Sequence, residues 1–220
     1  MSGDGMLVLA YQYLAQCNPS YLKQILDLAN DTFVGITDGQ QFDMDFETRN
    51  DVSELEYLEM IRLKTSILLA ACLKMGAILG GASEEDANLL YSFGEKLGLA
   101  FQLQDDLLDV YGDVKVFGKR IGGDIVCNKK TYMYINTCLL ASDEERAILA
   151  KWAQYEGDDV DAKIEAVKGV YDSVGIKGKA EAKIEELFNE AMSLLNKVSV
   201  LEEKKSVLRE YALSLMNRVL

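Results

Sequence analysis

Apolar side chains recur at every third or fourth position along most of the chain, and short polar or glycine-containing segments interrupt the pattern. This period places apolar residues on one face of an α-helix, whereas the strict alternation typical of a half-buried strand is not found. Helices are therefore predicted over residues 6–17, 20–39, 53–79, 83–111, 143–155, 158–172, 177–198 and 201–220. The glycine-rich, charged residues 112–130 lack an apolar period and are predicted to form a loop.

Helix starts are marked by serines. Ser53 and Ser142 each stand three positions before a glutamate, the arrangement of a capping box, and Ser83 precedes three acidic residues. Ser20, which follows Pro19, is predicted to cap the second helix. No long repeat or low-complexity linker divides the sequence, so we predict one all-α bundle that forms a single domain over residues 1–220.

The composition narrows the chemistry that this chain can perform. It has 23 Lys and Arg against 36 Asp and Glu, a formal net charge of −13, which disfavours non-specific binding to nucleic acid or to an anionic membrane. It has no histidine, so most zinc sites and all Ser/His or Cys/His nucleophiles are excluded. Any catalysis must use carboxylates, lysines or bound metals.

Two further features bear on location. The four cysteines show no C-x-x-C spacing and are predicted to be reduced thiols of a cytoplasmic protein. The longest apolar stretch, residues 67–79, is interrupted by Lys74 and is too short to span a bilayer, so no membrane anchor is expected.

The most informative polar pattern lies in the predicted helix that ends at residue 111. Gly98, Gln102, Asp105 and Asp109 follow one another at spacings of four, three and four, which places them on one helical face, and Asp106 lies about 100° from that face. Leucines cover much of the remaining surface, so the helix is expected to be buried, where unpaired carboxylates cost several kcal/mol. Oxygen ligands without histidine or cysteine favour Mg²⁺, or Mn²⁺. The alternative is that these aspartates form the solvated face of an amphipathic helix.

Basic residues occur on either side of that helix in the sequence. Lys64, followed by Thr65, lies in an apolar helical stretch, where a lysine either extends to the surface or faces an internal anion. Residues 118–131 combine three glycines with four cations, and this composition favours a phosphate-binding loop. A plain solvated loop is the alternative. The four cations are Lys119, Arg120, Lys129 and Lys130.

Taken in order, these motifs resemble those of the trans-isoprenyl diphosphate synthases, the polyprenyl synthetase family that includes farnesyl and geranylgeranyl diphosphate synthases. The matching motifs are Gly39-Gln40-x-x-Asp43, Lys64-Thr65, Gly98-x-x-Phe101-Gln102-x-x-Asp105-Asp106-x-x-Asp109, Gly118-Lys119, Asp124-Ile125 and Lys129-x-Thr131. The resemblance extends from about residue 3 to the end of the chain. It implies an isoprenoid synthase type of helical bundle and a homodimer.

The resemblance also implies a reaction and roles for individual residues. Mg²⁺ draws charge onto the diphosphate of an allylic substrate, an allylic cation forms, and the double bond of isopentenyl diphosphate attacks it before a proton is lost. The implied roles are magnesium ligand (Asp105, supported by Asp106 and Asp109), diphosphate binding (Lys64, Lys119 and Lys129), catalysis (Lys64, and Thr65 and Gln102 facing the cation) and cavity lining (Gln40 and Asp43).

One departure from the family pattern is large. The family's earlier aspartate-rich motif, with its following pair of arginines, occurs nowhere in these 220 residues, so the chain resembles the C-terminal two-thirds of a synthase, truncated at its N-terminus. We therefore expect little or no prenyl transfer by this chain alone. Two alternatives are a noncatalytic helical subunit that modulates an active synthase and a terpene cyclase on the same fold.

Overall fold

The chain folds into a bundle of α-helices, as its sequence predicts. The computed structural model describes residues 2–112 and 121–216, and no strand occurs among them. The helices of these residues are α1 (Ser2–Leu14), α2 (Pro19–Thr48), α3 (Glu54–Ile61), α4 (Ile67–Leu79), α5 (Glu84–Tyr111), α6 (Gly123–Val126), α7 (Tyr132–Leu140), α8 (Asp143–Ala153), α9 (Val160–Ser173), α10 (Ile176–Lys197) and α11 (Glu202–Met216). A π-helical turn, Arg62–Ser66, joins α3 to α4. In this part of the chain every helix is too short or too polar to cross a lipid bilayer.

Three of the predicted serine caps are confirmed. Ser53 and Ser142 form complete capping boxes with the glutamates three positions later. Ser83 accepts a hydrogen bond from the backbone N–H of Asp86 at 3.1 Å. A cap of this kind contributes about 1 kcal/mol. These caps fix the starts of α3 and α5, which both carry residues of the cavity described below.

The second helix departs from its predicted limits at both ends. It begins at Pro19, and Asn18 rather than Ser20 caps it: the Asn18 side chain accepts the backbone N–H of Ser20 at 3.0 Å. Asparagine is at least as good a cap as serine, and proline suits the first helical position. The helix also continues past Gly39 to Thr48. Gly39 allows the π turn to pack closely against α2, because a Cβ at this position would lie 2.5 Å from the backbone nitrogen of Lys64.

The prediction of a loop over residues 112–130 was wrong in part. The described residues of this segment include one helical turn, α6, and the helix α7 that follows was not predicted. The turn is held by Asp109, whose carbonyl and carboxylate oxygens accept the N–H groups of Gly122 and Asp124. A tertiary contact therefore forms this turn, which explains why no apolar period marks it.

Helix limits elsewhere differ by a few residues from those predicted. The first helix spans Ser2–Leu14 rather than residues 6–17, and the last spans Glu202–Met216 within the predicted 201–220. Residues 217–220 lie outside the described residues.

α5 occupies the centre of the bundle and packs most extensively against α10 and α4. Phe93, Leu97 and Leu103 on this helix are at most 2% exposed. Gly98 lets α5 approach the π turn closely, because a Cβ at this position would lie 2.7 Å from the Ser66 Cα atom. The polar face of α5 therefore lies directly opposite the turn that carries Lys64 and Thr65.

Replacing Gly98 by alanine is expected to destabilise the protein by about 2 kcal/mol, because the added methyl group meets backbone rather than a flexible side chain. The matched control is Gly169→Ala in α9, where nothing lies within 4 Å of the new Cβ. That variant should gain about 0.5–1 kcal/mol from the helix propensity of alanine. Urea unfolding of the three proteins measures both effects, and equal stability of the two variants would refute this description of the α5 contact.

Candidate functional site

A small cavity lies between α2, α3, the π turn, α5 and the segment that runs from α6 to α7. Its volume is about 140 Å³. Charged side chains of both signs line it, and they come from segments far apart in the sequence. The acidic residues are Asp43, Glu47, Asp105, Asp106 and Asp124, and the basic ones are Lys64, Lys129 and Lys130.

Asp106 is the most deeply buried carboxylate of the cavity, with 5% of its surface exposed. It accepts hydrogen bonds from the Tyr57 hydroxyl and, at 3.1 Å, from the amide nitrogen of Gln102. Burial raises the pKa of Asp106 to about 7, and the negative charges of Asp124 and Asp105 raise it further. The two hydrogen bonds act in the opposite direction and lower the pKa. Asp106 is therefore easily protonated near neutral pH when no cation compensates it.

Asp124 enters the cavity from the first turn of α6. Burial raises its pKa to about 6, and repulsion by Asp109 adds to the shift, whereas the ammonium of Lys129 opposes it. The Lys129 Nζ atom lies 3.8 Å from the Asp124 carboxylate. Burial lowers the pKa of Lys129, but the charges of Asp124 and Asp43 outweigh it, so that the net shift is upward and the lysine stays cationic.

The basic side of the cavity is formed by three lysines. Lys64 lies on the π turn and donates to Asp43 on α2 at 2.6 Å. Lys129 and Lys130 follow α6, and the ammonium of Lys130 donates to the backbone oxygen of Asn128 at 3.2 Å and lies over the ring of Tyr134. Cations on two sides of a cavity that also holds carboxylates suit an anion that arrives with a divalent cation.

The π turn determines where Lys64 and Thr65 point. The backbone N–H of Ile67 bonds to the carbonyl of Arg62, five residues earlier, so the turn is one residue wider than an α-helical turn. Gly39 of α2 and Gly98 of α5 contact the widened turn. π turns of this kind are frequent at functional sites, and no pattern in the sequence indicated this one.

A chain of hydrogen bonds links the π turn to the acidic helix. The Thr65 hydroxyl donates to Gln102 Oε1 at 3.1 Å, and Gln102 Nε2 donates to Asp106. Because the Thr65 hydroxyl donates a hydrogen bond to Gln102, the lone pairs of the hydroxyl oxygen remain available to the cavity. The orientation of both side chains is thereby fixed.

Several residues proposed from the sequence lie in different places from those expected. Asp109 is not part of the lining: its carboxylate accepts the backbone N–H of Asp124 at 2.9 Å and so supports the α6 turn. Asp106, which the helical period placed off the face of Asp105, does line the cavity. Gln40 is exposed and lies outside the lining, and Lys119 lies outside the described residues.

Several polar residues of the lining have no individual role predicted from the sequence. Among them are Tyr57, Asp124 and Lys130. Asp124 and Lys130 belong to the glycine-rich, cationic segment 118–131. The sequence does not show that these two residues lie next to the acidic helix α5. Tyr57 carries no signal in the sequence, because a tyrosine at helical spacing is normally a core residue.

The carboxylates of the cavity suit a hard cation that is only partly coordinated by protein. Among residues 2–112 and 121–216, no three acidic or cysteine side chains converge closely enough to hold a metal on their own. Mg²⁺ commonly takes one or two carboxylates and completes its shell with water and phosphate oxygens. Burial is the main cause of the raised pKa values of Asp106 and Asp124, and repulsion by neighbouring carboxylates adds to it, so a cation beside them would favour their ionised forms. The donor set therefore fits Mg²⁺ accompanied by a phosphate ligand.

Stability is expected to fall as the pH rises from about 5.5 to 7.5 in the absence of divalent cations, by about 1–3 kcal/mol. Asp106 and Asp124 have folded-state pKa values of about 7 and about 6, above the value of about 3.9 in an unfolded chain. The native state therefore binds protons more tightly in this window, and the stabilisation is lost as the pH rises through the folded-state pKa values. Asp106→Asn should reduce the slope in thermal unfolding scans, and the exposed Asp27→Asn should leave it unchanged. An identical slope in Asp106→Asn and the wild type would contradict this assignment.

Known proteins resemble this chain in sequence and in fold. The model of the family described as Polyprenyl synthetase matches residues 1–170. A geranylgeranyl diphosphate synthase of Methanosarcina mazei is 42% identical over 138 residues, which are 62% of this chain and 43% of that protein. The chain thus matches less than half of that relative's length.

Two solved structures extend the similarity to almost the whole chain. The crystal structure of a geranylgeranyl pyrophosphate synthase is 38% identical to this chain, with a TM-score of 0.92. The match covers 99% of this chain and 68% of the chain in that structure. A geranylgeranyl pyrophosphate synthase of Corynebacterium glutamicum, solved with isoprenyl diphosphate and magnesium, is 26% identical, with a TM-score of 0.89. This match covers 98% of this chain and 62% of the chain in that structure. By family match, sequence and fold, the chain belongs to the polyprenyl synthetase family.

Proposed function

We propose that the cavity binds the diphosphate of an allylic substrate together with Mg²⁺, and that the chain carries this part of a trans-prenyltransferase site, which condenses the allylic substrate with isopentenyl diphosphate. The observation that carries the proposal is the meeting of Asp105, Asp106 and Asp124 with Lys64 and Lys129 around one cavity. The similar Corynebacterium glutamicum structure, which contains isoprenyl diphosphate and magnesium, supports this choice of ligands.

Asp105 is the residue we assign as direct ligand of Mg²⁺, or of Mn²⁺ in its place. Asp106 lies beside it in the lining, and Asp109 supports the arrangement indirectly by holding the turn that carries Asp124. When bound, Mg²⁺ would neutralise charge on the diphosphate and so make it a better leaving group.

The lysines hold the diphosphate oxygens in this proposal. Lys129 lies close to the acidic residues, and Lys64 is paired with Asp43. An arriving diphosphate would share Lys64 with Asp43, since an ammonium group has three donors. Lys119 keeps its proposed role as a further diphosphate-binding residue by resemblance alone.

In this proposal Thr65 and Gln102 face the positive charge that develops on the allylic carbon. Their hydrogen bond, and that of Gln102 to Asp106, hold two oxygen dipoles in fixed directions beside the cavity. Fixed dipoles stabilise a developing charge without having to reorganise during the reaction.

The test is turnover of farnesyl diphosphate with labelled isopentenyl diphosphate and Mg²⁺, run beside a binding titration of farnesyl diphosphate. For this 220-residue chain alone we expect Mg²⁺-dependent binding with little or no chain elongation, because the family's earlier aspartate-rich motif occurs nowhere in these 220 residues. Consumption of farnesyl diphosphate without isopentenyl diphosphate would instead indicate a cyclase. Absence of binding would indicate a noncatalytic subunit.

We also propose that a second copy of the chain contacts α1, as the homodimer of the family resemblance implies. No residue of α1 is buried, and its large apolar side chains Met6, Leu7, Val8 and Leu9 are 48–69% exposed. Large apolar side chains that are exposed together on one helix are characteristic of an interface. Sedimentation equilibrium should therefore show a dimer, and a monomer at all concentrations would count against it.

A further inference from the structure

Lys163 is a buried lysine of α9 that the proposed function does not use. Its surface is 5% exposed. The ammonium donates to the backbone oxygen of Val126 at 3.1 Å and to the side-chain oxygen of Asn128 at 2.8 Å. Burying an ammonium group against neutral oxygens is costly, so a lysine at this position needs an explanation.

Asn128 is the residue through which Lys163 reaches the cavity. Its backbone has a φ of +53°, the left-handed conformation that asparagine tolerates better than most residues. Its side-chain amide accepts from Lys163 and donates to the carbonyl of Ala153 at the end of α8, 3.0 Å away. The amide therefore ties the chain to α8 and α9 at the turn immediately before Lys129.

The two residues that follow this turn both line the cavity. Lys129 donates its backbone N–H to the carbonyl of Asp124 at 2.9 Å, and Lys130 donates its ammonium to the backbone oxygen of Asn128. The position of Asn128 thus determines where both lysines stand relative to Asp124.

We propose that Lys163 is a positioning residue for the anion-binding lysines, acting through Asn128 on Lys129 and Lys130. The expected effect of Lys163 on ligand binding rests on the proposed function. Its expected effect on the position of the lysines rests only on the contacts given above. Lys163 does not itself line the cavity, so its effect must pass through the segment 126–130.

Lys163→Met is the variant that tests this inference, because methionine preserves much of the volume and removes the charge and the donors. Lys205→Met is the matched control. Lys205 is also a buried lysine, 6% exposed, and donates to two backbone oxygens, those of Asn196 and Val198, but it does not line this cavity. Both variants should lower the thermal unfolding midpoint. Only Lys163→Met should weaken Mg²⁺-dependent binding of inorganic pyrophosphate, by about tenfold, in calorimetric titration.

A double-mutant cycle separates positioning from a general loss of stability. In a Lys129→Met background, Lys163→Met should weaken pyrophosphate binding by no more than about threefold, because much of its effect passes through Lys129. Asn128→Gly is the second variant: glycine accepts the φ of +53° without strain but removes both amide contacts, so it should reproduce the loss. Equal binding by Lys163→Met and Lys205→Met, or an undiminished effect in the Lys129→Met background, would overturn the inference.

Hydrogen exchange decides the inference even if the wild type binds no pyrophosphate, an outcome that would refute the proposed function. The amide of Lys129 should exchange faster in Lys163→Met than in Lys205→Met, relative to amides of α5 in the same protein. Unchanged relative exchange at Lys129 would overturn the positioning role.

Discussion

Asp105→Ala is expected to weaken the binding of Mn²⁺, used as a spectroscopic probe for Mg²⁺, by about a hundredfold in the presence of inorganic pyrophosphate. Asp105 lines the cavity beside Asp106 and is the carboxylate we assign as direct ligand. A lost ligand leaves the ion with only water and phosphate oxygens on that side. Electron paramagnetic resonance of free Mn²⁺ measures the change.

Two variants control for other causes of weak Mn²⁺ binding. Asp27→Ala removes an exposed carboxylate of α2 that pairs with Lys23, and it should leave Mn²⁺ affinity within about twofold of wild type. Asp109→Ala should lower stability because it removes the acceptor of the Asp124 N–H, yet it should weaken Mn²⁺ binding less than Asp105→Ala does. The same Mn²⁺ affinity in the Asp105 and Asp27 variants would refute the ligand assignment.

Lys64→Met is expected to weaken pyrophosphate binding in the presence of Mg²⁺ by about 10- to 100-fold. The substitution removes a cation from the cavity and also leaves the carboxylate of Asp43, 2.6 Å from the Lys64 ammonium in the native protein, without this partner. An uncompensated carboxylate in the lining repels the anion, so the loss exceeds that of one hydrogen bond. Isothermal titration calorimetry gives the affinity of each protein.

The matched control for this variant is Lys74→Met on the helix that continues from the π turn. Lys74 donates to Asn88 and lies over the ring of Tyr91, away from the cavity lining. Its loss should change the pyrophosphate affinity by less than about twofold. If Lys64→Met behaved in the same way, the cavity would not be the anion site.

The fold follows closely from local signals in the sequence. Serines with acidic residues after them marked the starts of α3, α5 and α8, since cap and helix are determined within four residues of each other. Glycine was a poorer guide. Gly39 resembles a helix end in the sequence, but it lies inside α2, where the absence of a side chain lets the π turn pack against the helix. Only this tertiary contact distinguishes the two cases.

The site was predictable as a set of segments but not as a set of contacts. A helical period gives the angular positions of Asp105, Asp106 and Asp109 around the axis of α5. It does not show which neighbouring segment covers each turn of the helix. The α6 turn covers Asp109, so Asp106 and not Asp109 lines the cavity. The link from Lys163 to Asn128 spans 35 positions and has no local signal at all.

We expect the cavity to bind a diphosphate group only together with a divalent cation. Calorimetric titration of inorganic pyrophosphate into the wild-type chain, with and without Mg²⁺, measures this dependence. We predict saturable binding with Mg²⁺ and none that is measurable without it, because the acidic residues of the lining repel an anion that arrives alone. Binding of equal strength in both conditions, or no binding in either, would contradict the proposed site.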